Sequence, residues 1–143
     1  MTNTQNIPKN SFPLSQLPGI PQEITDKCAA SNLTHTHTLL QHCTTPKAIE
    51  TLANQLQIPT PQLKKWVVMA NLAQLESVGC EYCGLLLHAG IISPSQLAQT
   101  SFPRLHQQII RFQVATTRRR DLAPSLQTVQ QWVKEARSLV QQS

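Results

Sequence analysis

The chain has 143 residues, enough for one domain with a buried core. Hydrophobic residues at 40% and a mean hydropathy of −0.23 exclude a disordered polymer, and no apolar run approaches the ~18 residues of a spanning helix. Charged residues are only 13%, against about a quarter in ordinary domains. The net charge of +5 permits weak attraction to nucleic acid or to an acidic partner, and equally describes a mildly basic solvated surface.

Met1–Ser11 is polar, aperiodic and carries one cation, Lys9. It reads as a flexible tail, without the basic start and apolar core of a signal peptide. The expectation is a cytoplasmic protein with its four cysteines reduced, and a single domain over residues 12–143. Leu17-Pro18-Gly19-Ile20-Pro21 reads as a tight turn between helices. Pro21 suits the first position of the helix that follows, where a missing N–H costs nothing. Glu23 and Asp26 fall in its early turns, where the helix dipole favours acids. Ile24 and Cys28 lie on its buried side, and Asn32 is its left-handed cap.

Thr45-Pro46 opens the next helix, with Ile49, Leu52, Ala53 and Leu56 as its apolar stripe and Pro59 as its stop. Thr60 caps another, with Pro61 in first position and Leu63, Trp66, Val67, Ala70 and Ala73 facing inward. A second turn, Leu75-Glu76-Ser77-Val78-Gly79, leads into a helix with Tyr82, Leu85, Leu86 and Ala89, closed by Gly90. Ser93-Pro94 begins a short helix with Leu97 and Ala98. Phe102-Pro103 begins another, with Leu105, Ile109 and Phe112 inward and Arg104, Gln108 and Arg111 outward. Arg118-Arg119-Arg120-Asp121 forms a loop before Pro124. Ser125 caps the last helix, whose inner face is Leu126, Val129, Trp132, Val133, Ala136, Leu139 and Val140. No sustained strand alternation occurs.

The pattern repeats. Leu17–Pro21 with Asn32-Leu33 recurs 58 positions later as Leu75–Gly79 with Gly90-Ile91, and Leu39 matches Leu97 at the same offset. Pro46 matches Pro103 at 57, and Leu63–Val67 with Ala70 matches Val129–Val133 with Ala136 at 66. The arginine loop absorbs the difference. The expected fold is therefore all-α, two repeats (residues 17–74 and 75–141) packed as one pseudo-symmetric helical domain. Only the short Ser11–Gln16 precedes the first turn, so the last helix is expected to pack against that turn and close the pair.

A Leu-x-Gly-Ile-Gly turn between two helices is the helix-hairpin-helix signature, and the chain from Leu17 to about Leu139 resembles the domain-of-unknown-function 4332 family. The resemblance rests on Leu63-Lys64-Lys65-Trp66-Val67, Ala70-Asn71-Leu72, Val78-Gly79-Cys80-Glu81-Tyr82, Ala89-Gly90-Ile91 and Leu126–Ala136 with Trp132-Val133. It implies tandem helical hairpins and no established activity. Two positions depart from the pattern: Pro21 stands where a second glycine is usual, and Ser77 where the first is usual.

In nucleic-acid-binding hairpins, backbone N–H groups and a helix N-terminus grip phosphate. Here Pro21 removes a donor, Glu23 and Asp26 follow the first turn, and Glu76 and Glu81 flank the second. The turns (Leu17, Gly19, Ile20, Pro21; Leu75, Ser77, Val78, Gly79) therefore read as structural corners. Arg104, Arg111, Arg118, Arg119 and Arg120 are the candidate contacts for nucleic acid or an acidic partner, set against a plain solvated face. With one Tyr, three Phe and two inward Trp, a base-stacking platform is not expected.

Cys80-Glu81-Tyr82-Cys83 is a CxxC that His42-Cys43 or His35 and His37 could nominally complete as a zinc site. Against this, Cys83 aligns with Thr25 and Cys28 with Leu86, both core positions, and a second ligand pair of firm spacing is missing. No nucleophile elbow, P-loop or dinucleotide turn is present. The reading is a non-enzymatic module without metal or cofactor that binds a protein partner as an accessory or scaffold subunit. The alternative is sequence-independent nucleic-acid binding through the arginines, with no membrane insertion in either case.

Overall fold

Hydroxyl residues and prolines set the helix starts. Thr45 Oγ1 accepts the Ala48 N–H at 3.0 Å, Ser93 Oγ accepts that of Gln96 at 3.0 Å, and Ser125 Oγ accepts that of Thr128 at 3.1 Å. The structure, a computed structural model, describes residues 11–117 and 123–141. Its helices are α1 (Gln22–Ala29), α2 (Thr36–Gln41), α3 (Pro46–Leu56), α4 (Thr60–Ala73), α5 (Gly79–His88), α6 (Pro94–Ala98), α7 (Phe102–Thr117) and α8 (Leu126–Gln141). The fold is all-α. Among the described residues, β-type pairing is confined to Pro13 with His35, and no helix is long and apolar enough to cross a membrane. Ser11, assigned to the tail by sequence, accepts the His37 N–H at 3.3 Å.

Two helix starts differ from expectation by one residue. Pro21 is the cap of α1 rather than its first residue: its carbonyl accepts from Thr25 N–H, and its lack of a donor costs nothing there either. Thr60 lies inside α4, after Pro59, and makes no capping bond. The short helix α2 has only weak periodicity in sequence, although the pairing of Leu39 with Leu97 of α6 marks its place.

The helix ends repeat in atomic detail. Leu33 N–H reaches Cys28 O at 2.9 Å and Asn32 N–H reaches Ala29 O at 2.9 Å; 58 residues on, Ile91 N–H reaches Leu86 O and Gly90 N–H reaches Leu87 O, both at 3.0 Å. This is the paired closure that needs a left-handed residue after the helix. Asn32 (φ 64°) and Gly90 (φ 91°) supply it, and Gln57 (φ 58°) does the same after α3. Leu33, Ile58 and Ile91, the residues after each, are buried.

Helix α4 packs on α2, α3 and α5, and α8 packs on α6 and α7. Trp66 and Trp132 are both buried, 5% and 0% exposed. The expected docking of α8 on the first turn is corrected: α8 is fastened to the second. Trp132 Nε1 donates to Ser77 O at 3.1 Å, and Glu135 takes the Ser77 N–H and hydroxyl. The ends of the α8 stripe also differ from expectation, since Leu126 and Val140 are 40% and 39% exposed.

The first turn instead abuts α5. A Cβ placed on Gly84, in the middle of that helix, would lie 3.4 Å from Met69 Cε of α4 and 3.5 Å from Pro18 Cγ of the first turn. These are ordinary contact distances, with no room for a longer side chain in that direction. Gly84→Ala should therefore leave stability equal or raise it by up to ~1 kcal/mol through helix propensity, whereas Gly84→Leu should lower it by ~1–3 kcal/mol. Urea unfolding of the two variants measures both signs. Equal stability of the Ala and Leu variants would show that this seat is loose.

Candidate functional site at the second turn

The turn from Leu75 to Gly79 must direct the chain from α4 into α5, and its first helical N–H groups have no partner within the helix. Gly79, at φ 53°, makes the corner; Val78 N–H bonds to Leu75 O at 3.0 Å and Gly79 N–H at 2.9 Å. The next donor, Ser77 N–H, points out of the turn toward α8. There Glu135 Oε1 accepts it at 2.8 Å, and Glu135 Oε2 accepts the Ser77 hydroxyl at 2.5 Å. Gln131 Nε2 donates to the same Oε2 at 3.0 Å. The Trp132 ring, whose N–H holds Ser77 O, lies 5.1 Å from the Tyr82 ring of α5, tilted by 49°. Every polar group of Ser77 is thus engaged by one helix.

Partial burial works against ionisation of Glu135. The Ser77 hydroxyl, the Ser77 N–H and the Gln131 amide outweigh it and hold the carboxyl below its ordinary value. A carboxylate therefore occupies the donors that a phosphate-binding hairpin would offer. The exposed Glu76 adds a second negative charge beside it. Sequence reading missed Glu135. Its signal was present: at the 66-residue offset it stands where α4 has Met69, a polar residue on an otherwise apolar side.

Around this site lies an open groove of about 460 Å³, lined by Gln74–Glu76 of the turn and by Gln131, Lys134, Glu135, Ser138 and Leu139 of α8. At the first turn, Gly19, at φ 76°, has nothing within 4 Å of an added Cβ among the described residues, and Pro21 has no N–H to offer.

The arginines stand apart from this site. Arg104 and Arg111 are exposed on α7, seven residues apart and hence two turns along one face. Arg118, Arg119 and Arg120 lie outside the described residues. His88 stacks on Phe112 of α7 at 5.1 Å, which ties α5 to that helix. The CxxC is split by burial: Cys83 is fully enclosed and its thiol points to Cys80 O at 3.8 Å, while Cys80 is half-buried. Burial, and then Cys80 nearby, push the Cys83 thiol up to about 12; burial and then Cys28 push Cys43 up to about 11. Among the described residues no three of His, Cys, Asp and Glu converge as a metal-binding group.

The family described as Domain of unknown function (DUF4332) matches residues 18–139, and the chain belongs to it. Neither the curated proteins nor the solved structures gave a match.

Because the folded carboxyl of Glu135 ionises more readily than an unfolded one, its contribution is fully present above the unfolded value near ~4.3 and is lost as pH falls through the lower folded value. Glu135→Gln should cost ~1 kcal/mol at pH 7, and the gap from the parent should close on acidification below pH ~4. Denaturant unfolding at both pH values tests this; a gap that does not change with pH removes the role of the charge. For the thiols, titration of the native chain with an aromatic disulfide at pH 8 should modify Cys80 first, with Cys28, Cys43 and Cys83 reacting only on denaturation.

Proposed function

We propose that the chain is a pair of tandem helix-hairpin-helix repeats, about residues 17–74 and 75–141, packed as one pseudo-symmetric domain. We further propose that it serves as a non-enzymatic module, binding a protein partner through an outer helical face as an accessory or scaffold subunit. The recurrence of the helix closures at a 58-residue offset supports the repeat. The observation that carries the functional reading is the Glu135 carboxylate on Ser77. It takes the donors that would make the hairpin a nucleic-acid grip and moves any binding surface outward. The surface there is poor in charge, and Ile92 and Val114 are 58% and 42% exposed. Such a surface loses little on desolvation against another protein.

A second reading has its own observation. Arg104 and Arg111 share the outward face of α7 and lead toward Arg118–Arg120 in sequence. Cations in a line support salt-sensitive, sequence-independent contact with a nucleic-acid backbone.

The two readings separate in one comparison. Crosslinked, nuclease-treated affinity purification should recover a protein in fixed ratio to the chain, and Arg104→Gln/Arg111→Gln should leave that ratio unchanged. The purified chain should fail to shift DNA or RNA even at low salt. A shift that weakens steeply with salt and disappears in the arginine variant reverses the assignment. A chain that stays alone after crosslinking, with or without nuclease, defeats the protein-partner reading.

A further inference from the structure

Within the chain, one helix sits on the corner made by the first turn and α4. Gly84 of α5 is its contact residue, against Pro18 of the turn and Met69 of α4. The groove beside α8 is the same corner one repeat later. At the 58-residue offset Pro18 becomes Glu76, and at the 66-residue offset Met69 becomes Glu135 and Leu72 becomes Ser138. All three lie on the groove of about 460 Å³, together with Lys134, which replaces Val68. The apolar seat that accepts a glycine has been rebuilt with two carboxylates at its contact positions.

From this correspondence, which rests on the tandem-repeat and protein-partner readings above, we infer that the groove between the second turn and α8 is a docking seat for a helix of another protein, one that presents a lysine or arginine where α5 presents Gly84. Two carboxylates and one ammonium leave the groove net negative on a chain whose overall charge is +5. A cation directed between Glu76 and Glu135 would be paired on both sides, while Ser138 and Gln131 supply hydrogen-bonding groups at the rim. The seat rejects a second copy of this chain. The helix that would enter from a copy stacked end to end is α1, the counterpart of α5, and its residue in the place of Gly84 is Asp26. Asp26 is exposed, with its carboxylate held by Gln22 Nε2 at 2.8 Å, so it would bring a third negative charge to the seat.

The same residue provides the test. Asp26→Lys, an exposed change on α1, converts the chain into its own fitting partner. Sedimentation equilibrium over a concentration series should show the parent monomeric and Asp26→Lys self-associating at least about tenfold more tightly, with the association weakened by salt. Adding Glu76→Gln, which touches none of the bonds to Ser77, should reduce that association, and adding Glu76→Gln with Glu135→Gln should abolish it. If Asp26→Lys stays monomeric, if the parent self-associates through this end, or if the glutamine changes leave the association intact, the seat is wrongly assigned. None of these results bears on whether a protein partner is recovered by crosslinking, so the broader reading stands or falls separately.

Discussion

Helix α4 is buried over a broad side, with Pro61, Gln62, Lys64 and Lys65 left exposed, and elements before and after it in the chain pack against that side. Leu63, Trp66, Val67, Met69, Ala70, Leu72 and Ala73 are all enclosed, which no single apolar stripe could provide. One side completes the first half, through α2 and α3, and the other receives α5. A helix contacted from two directions needs an apolar face wider than one stripe, and Met69 and Leu72 widen it in α4. Burial of α4 therefore draws on helices that precede it and on one that follows it. At Gly84, α5 approaches α4 and Pro18 closely enough that a methyl group fits at contact distance and a longer side chain does not.

Helix α8 shows the same element under a different boundary condition. Its Val129, Trp132, Val133 and Ala136 are buried as their counterparts in α4 are. Where α4 continues with Met69 and Leu72, α8 has Glu135 and Ser138. A helix covered on one side only cannot expose those two apolar side chains to water without cost, and burying two of them is worth ~1.5–3 kcal/mol each. The polar replacements remove that demand. Glu135 goes further, because its carboxylate fastens α8 to the turn through two donors of Ser77, is steadied by Gln131 of its own helix, and also lines the groove. One residue therefore caps the turn, ends the apolar face and sets the charge of the groove.

The sequence was most legible where local chemistry decides the backbone. Thr45-Pro46, Ser93-Pro94 and Ser125 cap as read, and Asn32 and Gly90 close their helices in the left-handed region. The one-residue errors at Pro21 and Thr60 have a common origin: a proline is compatible with the cap and with either of the first two helical positions, so it marks a helix start without fixing it. Long-range relations were harder to read. The recurring sequence pattern related helices to one another but not which turn α8 would meet, because such docking is decided by non-local packing. Glu135 has no local signal in sequence, because an acid on a terminal helix ordinarily reads as solvated. Only its alignment with Met69 distinguishes it, and Trp132 as a hydrogen-bond donor to Ser77 has no local signal at all.

The two halves differ most between the third and fourth helices of each. Helix α7 runs 16 residues where α3 runs 11, and the repeat offset grows from 57 to 66 across this region. The added length is not required to bury the core. Leu105 and Ile109, in the part of α7 that α3 also has, are fully enclosed, whereas Val114 in the extension is 42% exposed. Residues that packing does not demand lie on the surface and are free to vary with what the surface meets. The groove at α8 differs in kind: there the packing positions themselves have been exchanged, apolar for acidic, at sites the first half uses to hold a helix. A change at a position already shaped to receive a helix alters what that position accepts, and the pair Glu76 and Glu135 specifies a cation.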